Sequence, residues 1–201
     1  MKLVGMLDSP YVRRVAISLE LYGVAFEHQA LSVFSTFDEF SRINPVVKAP
    51  TLVLDDGTVL MDSGLILEYL EALAPGGDKL MPRQAAALAK DLQVIGLALA
   101  ACEKTVQIVY EHHLRPAEKL HQPWIDRVTG QLLAAYSLLE ALLAERDSEA
   151  PLTQASLTAA VAWSFTQLKI ADVIKADAFP HLQRHAARAE QHPAFSKFPV
   201  E

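Results

Sequence analysis

Three short segments in the first third of this 201-residue chain combine residue types that can hold a charged ligand. Ser9 precedes Pro10 and an apolar-periodic run, Val12, Val15, Ile17, Leu19 and Leu21, that stops at Gly23. Proline in the first turn and glycine past the last are the punctuation of a helix. The Ser9 hydroxyl then sits where a strand turns into a helix, beside free N–H groups and the positive end of the helix dipole. That environment stabilises an anion, including a thiolate whose free thiol titrates near about 8.5. A serine that merely caps its helix fits the same residues. Ala49-Pro50 is the second segment, because Pro50 opens the β-like run Thr51 to Leu54 without an N–H to give. Trans is the commoner form of such a bond; in the cis form Ala49 would turn its N–H and C=O outward, able to pair with an extended peptide. Asp62-Ser63 is the third: it follows a strand and opens a helix. Ser63 and its neighbours offer N–H groups to a carboxylate, and Asp62 offers a charge to an ammonium. Together they could grip the zwitterionic end of an amino acid, or could simply cap the helix.

The elements that must position these residues follow from periodicity and punctuation. Residues 1–73 read β-α-β-α-β-β-α. Lys2 to Leu7 is a strand, then comes the helix ending at Gly23, then a strand at Phe26 to Ala30. Thr36 and Glu39 fit a capping box at the start of a second helix. Thr51 to Leu54 and Thr58 to Met61 form a hairpin around Asp56-Gly57, where a tight turn needs positive φ. A helix from Ser63 to Leu73 runs into Ala74-Pro75-Gly76-Gly77. A β-α-β start implies a parallel pair with a right-handed crossover, and the hairpin adds antiparallel strands, giving a small mixed sheet with helices on its faces. Beyond Gly77 the pattern is helical, at Arg83 to Tyr110, Trp124 to Leu143, Ser156 to Ile170 and His181 to Gln191. The expected domains are therefore 1–75 and 82–201, joined at Pro75-Gly76-Gly77.

Taken together, the three segments form an ordered set, and with them the chain resembles the cytosolic glutathione transferase family. The segments that carry the resemblance are Asp8–Val15, Ile43–Val53 and Leu60–Leu70, followed by a linker and an all-helical remainder. The resemblance covers the whole chain in layout and is specific mainly over residues 1–73, of the bacterial type with serine at the thiol-activating position. It implies a thioredoxin-like α/β first domain that binds glutathione, an all-α second domain contributing a hydrophobic substrate pocket, and a homodimer. By position, Ser9 would donate its hydroxyl to the glutathione sulfur. Ala49, before a cis Pro50, would pair with the cysteinyl backbone. Asp62 and Ser63 would hold the γ-glutamyl end, and Lys48 would lie near the glycine carboxylate. The activity implied is attack by a bound thiolate on small hydrophobic electrophiles. A serine cannot form a mixed disulfide with glutathione, which favours conjugation, addition or isomerisation over thiol–disulfide exchange. A non-catalytic binding module of the same fold and a glutathione-dependent cis–trans isomerase are the alternatives. Leu7, Tyr11, Phe34, Tyr110 and His112, with Glu111 between the last two, are the candidates for the second-substrate pocket. One departure stands out. The buried helix of such second domains usually begins Ser/Thr-x-x-Asp, whereas here the stretch is Ser156-Leu157-Thr158-Ala159, so Ser156 can cap without a carboxylate to answer it, at a cost of about 1 kcal/mol.

Other features narrow the function further. Net charge is −5 over residues 1–80 and −1 over 81–201, so neither part offers the clustered Lys and Arg that nucleic acid requires. Ala150 to Leu168 is uncharged and nearly long enough to span a bilayer, but its Thr, Ser and Gln residues argue for a helix buried among helices. The start, with one basic residue and a short apolar run, does not read as a signal peptide, and the expectation is a cytoplasmic protein. The composition, 51% apolar and 21% charged, excludes disorder. A lone Cys102 in an Ala/Leu-rich helix excludes a disulfide and reads as a packed side chain. No metal is expected: adjacent His112 and His113 would diverge on a helix, and His181 with His185 has no further ligand at hand. Arg13 and Arg14 stand at the end of their helix that disfavours cations; one of them could offset the charge of a bound anion, but ion pairs with Glu20, Asp8 or the helical part are the preferred reading.

Overall fold

The computed structural model describes residues 1–74, 79–146 and 150–200. Within them the chain divides into two compact units, Met1–Leu80 with the segment from Gln191 onward, and Met81–Glu190. The expected linker at Pro75 to Gly77 lies outside the described residues.

The first unit holds β1 (Lys2–Val4), α1 (Pro10–Leu21), β2 (Glu27–Gln29), α2 (Phe37–Ile43), β3 (Thr51–Val53), β4 (Val59–Met61) and α3 (Ser63–Leu73). The sheet order is β2-β1-β3-β4. β1 and β2 run parallel with Leu3 opposite His28, while β1–β3 and β3–β4 are antiparallel with Leu3 opposite Leu52 and Leu52 opposite Leu60. Gly57 takes the positive φ of the hairpin turn at 87°. Leu3, Val4 and Leu52 of the sheet are fully buried, as are Val12, Val15 and Ile17 of α1 and Ile66 and Leu70 of α3. Phe40 of α2 packs on Val4 and Leu31. The segment from Gln191 carries α8 (Pro193–Ser196) and lies on α1. Arg13 Nε donates to the Phe198 carbonyl at 2.8 Å and its guanidinium lies 5.4 Å from the Phe195 ring centre, while Lys197 pairs with Glu20 at 2.6 Å. These contacts, not periodicity, place that segment with the first unit.

The second unit holds α4 (Ala85–Leu114), α5 (Gln122–Ala144), α6 (Gln154–Ile170) and α7 (Pro180–Glu190), with single 3-10 turns at Ala117–Lys119 and Ala176–Ala178. α6 is largely buried, with Ala155, Leu157, Ala159, Ala160 and Ala162 wholly covered and Leu168 exposed. α4 is also long and apolar enough by composition to cross a membrane, and it packs against α5 and α6. Thr105 of α4, Tyr136 of α5 and Thr166 of α6 join their hydroxyls at 2.8 and 2.6 Å, and Tyr136 donates to the Ala162 carbonyl at 3.0 Å.

Two expected caps are built differently. Thr36 does not cap α2: its Oγ1 accepts from the Ser32 N–H at 2.8 Å and donates to the Ser32 carbonyl at 3.0 Å, so a local ring takes the hydroxyl before the helix can. α6 starts earlier than expected, with Thr153 as its cap and Ser156 as the reciprocal partner. The Ser156 N–H donates to Thr153 Oγ1 at 3.3 Å and the Thr153 N–H to Ser156 Oγ at 2.8 Å. A hydroxyl thus fills the place of the missing carboxylate, and Ala159, fully buried, is a position where a carboxylate would have to be desolvated. β1 is shorter than expected because the backbone turns at Gly5, with φ of 140°.

Candidate active site

Ser9 is the N-cap of α1, with Pro10 at the first helical position. Its Oγ accepts from the Val12 N–H at 3.4 Å, a long bond. The lone pair therefore caps the helix, and the hydroxyl proton takes no acceptor among the described residues. Pro10 has no N–H to give, so the positive end of α1 is presented by its next amides.

The Ala49-Pro50 bond is cis. Asn44, buried at the end of α2, organises the loop that leads to it. Asn44 Nδ2 donates to Thr51 Oγ1 at 2.8 Å, its Oδ1 accepts from the Val46 N–H at 3.0 Å, and Thr51 Oγ1 donates to the Lys48 carbonyl at 2.7 Å. The loop closes through Val47, whose φ of 51° is costly for a β-branched residue. Gly5 lies against the same place: a Cβ there would come within 2.5 Å of Val12 Cγ2 and 3.2 Å of the Ala49 Cβ. The sequence reading missed both Asn44 and Gly5. Asn44-Pro45 is a turn-initiating pair and was the available signal for the first. Nothing local marks the second, whose neighbours come from α1 and the Ala49 loop. Lys48 is exposed and Ala49 half-buried.

Asp62 caps α3 through Oδ1, which accepts from the Gly64 N–H at 2.9 Å, and its own φ is 72°. A non-glycine residue in the left-handed region at a helix start costs about 1 kcal/mol or more and persists where the surroundings require it. The turn leaves the Asp62 side chain exposed and buries Ser63. Ser63 Oγ accepts from Nη1 of the buried Arg14 at 3.4 Å. α1 thereby places a guanidinium at the start of α3. Gly5 lies beside both Val12 and Ala49, Val12 bonds Ser9, and Arg14 bonds Ser63, so the first turns of α1 reach all three segments. The arrangement offers two helix N-termini, a buried cation and an exposed carboxylate to a ligand with both charges.

The second-substrate candidates do not share a unit. Leu7 is buried, Tyr11 half-buried and Phe34 exposed in the first. In the second, Tyr110 lines a cleft of about 470 Å³ with Glu111, Leu114, Arg115, Lys119 and Trp124, and His112 is not part of its lining. Glu111 is buried and bonded to Arg115 Nε at 2.8 Å. Among the described residues no three His, Cys, Asp or Glu side chains cluster as metal ligands. His181 Nδ1 faces Arg184 at 2.9 Å and His185 Nε2 bonds the Ser156 carbonyl at 2.8 Å, so the two serve separate contacts. Cys102 is buried.

Residues 3–78 match the profile of the glutathione S-transferase N-terminal domain. An uncharacterized GST-like protein of Escherichia coli K12, YibF, is 31% identical over 143 residues, which cover 66% of this chain and 70% of that one. Glutathione transferase GST 23 of Zea mays is 35% identical over 81 residues, 40% of this chain and only 36% of the plant protein. The crystal structure of a glutathione transferase family member from Pseudomonas fluorescens Pf-5, with bound S-(propanoic acid)-glutathione, is 30% identical and superposes with a TM-score of 0.82, covering 98% of each chain.

Proposed function

Because this chain belongs to the glutathione transferase family, we propose that its first unit binds glutathione and activates the thiol for attack on small hydrophobic electrophiles. The observation that carries the reading is the convergence of Ser9, the Ala49 loop and Asp62-Ser63 along α1, with Arg14 bonded to Ser63. Ser63 and the N-terminus of α3 receive the γ-glutamyl carboxylate, supported by the buried charge of Arg14. Asp62 receives the ammonium. The N–H and C=O of Ala49 pair with the cysteinyl residue in the manner of an added strand, and Lys48 lies within the glycine carboxylate's reach. Ser9 donates its uncommitted proton to the sulfur, and with the N-terminus of α1 it favours thiolate over thiol.

The thiolate then bonds to an electrophilic carbon; the thiol's proton passes to solvent, and the leaving group, where there is one, departs with its electron pair. Holding both reactants makes the step effectively unimolecular. Ser9→Ala tests the assignment. A hydrogen bond to a charged sulfur contributes about 1.5–3 kcal/mol, so turnover of an activated aryl halide should fall about 10- to 100-fold and the thiolate absorbance of bound glutathione should appear at higher pH. Affinity measured by calorimetry should change little. Unchanged turnover removes Ser9 from the chemistry; glutathione binding without turnover of any electrophile favours a binding module.

A further inference from the structure

Ser9 reaches its place through a turn that the neighbouring strand holds. β1 ends at Val4, and the next residue, Gly5, is buried with φ of 140°. A glycine has no Cβ to restrict its peptide planes, so its two buried polar groups must be pinned from outside. β2 pins both. The Gly5 N–H donates to the Gln29 carbonyl at 3.1 Å, and the Gly5 carbonyl accepts from His28 Nε2 at 2.8 Å. A carbonyl can only accept, so Nε2 carries the proton and His28 is the donor. His28 stands opposite Leu3 in the parallel pair, and its half-buried ring reaches two residues further along the chain to make this bond. From Gly5 the constraint runs to Ser9 by two routes. Along the chain, the Gly5 carbonyl belongs to the peptide that begins Met6, and the Met6 carbonyl accepts from the Ser9 N–H at 3.2 Å. Through space, Gly5 lies tight against Val12, whose N–H donates to Ser9 Oγ. That last bond is long, 3.4 Å, and does not fix the hydroxyl by itself.

We propose that His28 is a positioning residue for thiol activation: by donating to the Gly5 carbonyl it sets the turn that aims the Ser9 hydroxyl at the ligand sulfur. It acts through the backbone, and the role rests on the transferase reading. A buried carbonyl that loses its donor turns its peptide toward another, and a glycine resists that turn less than any other residue. Met6 and Val12 would carry the displacement to Ser9. Small displacements lower turnover steeply where reacting groups must be aligned, whereas Asp62, Ser63 and Ala49 lie outside the turn and keep their hold on the tripeptide.

The experiment is a set of His28 variants of the full chain, assayed with glutathione and an activated aryl halide. His28→Leu should lower kcat about tenfold and reduce the thiolate absorbance of bound glutathione at a fixed pH. Calorimetry should find its glutathione affinity within about twofold of the parent's. His28→Gln, whose Nε2 can take the place of the imidazole Nε2, should restore most of the loss, and His28→Asn, one bond shorter, should not. In a Ser9→Ala background His28→Leu should lower kcat less than about twofold, because the group it positions is gone. A merely structural histidine would act alike in both backgrounds. Should His28→Leu fail to fold, His28→Asn takes its place in both backgrounds, and the nitrogen–proton correlation spectrum of the parent's imidazoles tests the bond directly. There the His28 ring must carry its proton on Nε2, and a ring protonated on Nδ1 alone overturns the proposal. Parental kcat in His28→Leu, equal losses in the two backgrounds, or rescue by Asn as full as by Gln would each overturn the role of His28 and leave the transferase reading standing. A parent that binds no glutathione and turns over no electrophile overturns both, before any variant is made.

Discussion

Asn44→Ala isolates what holds the loop before β3. The side chain is buried and makes two strong bonds, to Thr51 Oγ1 at 2.8 Å and from the Val46 N–H at 3.0 Å, with a weaker contact to Met61 Sδ at 3.7 Å. Val46 is 61% exposed, so water can take over its amide, whereas Thr51 is fully buried and loses its donor outright. One replaceable bond and one stranded acceptor sum to about 2 kcal/mol. For a unit of this size, Met1–Leu80 with the segment from Gln191, each kcal/mol lowers Tm by about 4–8 °C, so a drop of about 8–16 °C is expected. Because the chain has two units, the calorimetric transition to follow is that of the first, and the second should stay in place. Thr51 Oγ1 also holds the Lys48 carbonyl, so the same substitution should loosen Lys48 and Ala49 and weaken glutathione binding about tenfold. Thr51→Val removes the partner, and the double variant should be less destabilised than the two singles added together, by at least about 0.5 kcal/mol. Additive losses, or an Asn44→Ala protein whose first transition and glutathione affinity both match the parent's, would refute the account of Asn44 as the loop's anchor.

Three further outcomes follow from the packing. Gly5→Ala places a methyl 2.5 Å from Val12 Cγ2 at a φ of 140°, so overpacking and backbone strain together should cost about 2–4 kcal/mol in urea unfolding and should weaken glutathione binding by displacing Ala49. Burial, then the nearby charges of Arg146 and Arg188, hold the His185 imidazole below its usual pKa of 6.5, against the pull of the Ser156 carbonyl. The unfolded chain then takes up this proton first as pH falls: the contribution of His185 is complete above about 6.5 and is lost below it, down through the folded pKa. His185→Gln, whose amide can still donate to that carbonyl, should narrow its stability gap to the parent between pH 7 and 5, and parallel curves would dismiss the histidine. Along the hydroxyl chain, Tyr136 donates to the Ala162 carbonyl, Thr166 to Tyr136 and Thr105 to Thr166. Tyr136→Phe strips two of these bonds in a fully buried place and should cost about 1–3 kcal/mol, more than Thr105→Val, which removes only the terminal donor.

The elements of this fold were legible wherever a hydrophobic period ran between clear punctuation marks. α1 between Pro10 and Gly23, the hairpin around Gly57 and α3 from Ser63 all lie where those signals put them. Errors arose where several short polar side chains competed for one amide. Thr36 had Ser32 within reach and closed a ring with it; Ser156 had Thr153 one turn earlier and became the partner of a cap in place of the cap itself. Local patterns name the candidates for such bonds without ranking them, because the ranking depends on where the preceding loop lies. The placement of the segment after Gln191 is a stronger case. It turns on Arg13 meeting the Phe198 carbonyl across 185 positions of chain, a pairing that no periodicity carries.

The candidate site divides along the same line, and the division explains why its residues were visible but its construction was not. Ser9, Pro50, Asp62 and Ser63 do their work at element boundaries, where a residue's type already says which conformations and donors it supplies. Asn44, Gly5 and Arg14 act by reaching another element: a buried amide bracing a loop, an absent methyl making room for Ala49, a guanidinium crossing from α1 to Ser63. The backbone shows where these demands concentrate. The described residues outside glycine with positive φ are Val47 and Asp62, the first in the loop before Ala49 and the second at the start of α3. Neither conformation is favoured by its own residue, so each must be sustained by neighbours, Asn44 and Thr51 in one case and the capped start of α3 in the other. Both fall in segments proposed to hold glutathione and neither in the helical unit, which is the distribution expected if the strain is retained for a ligand rather than for packing.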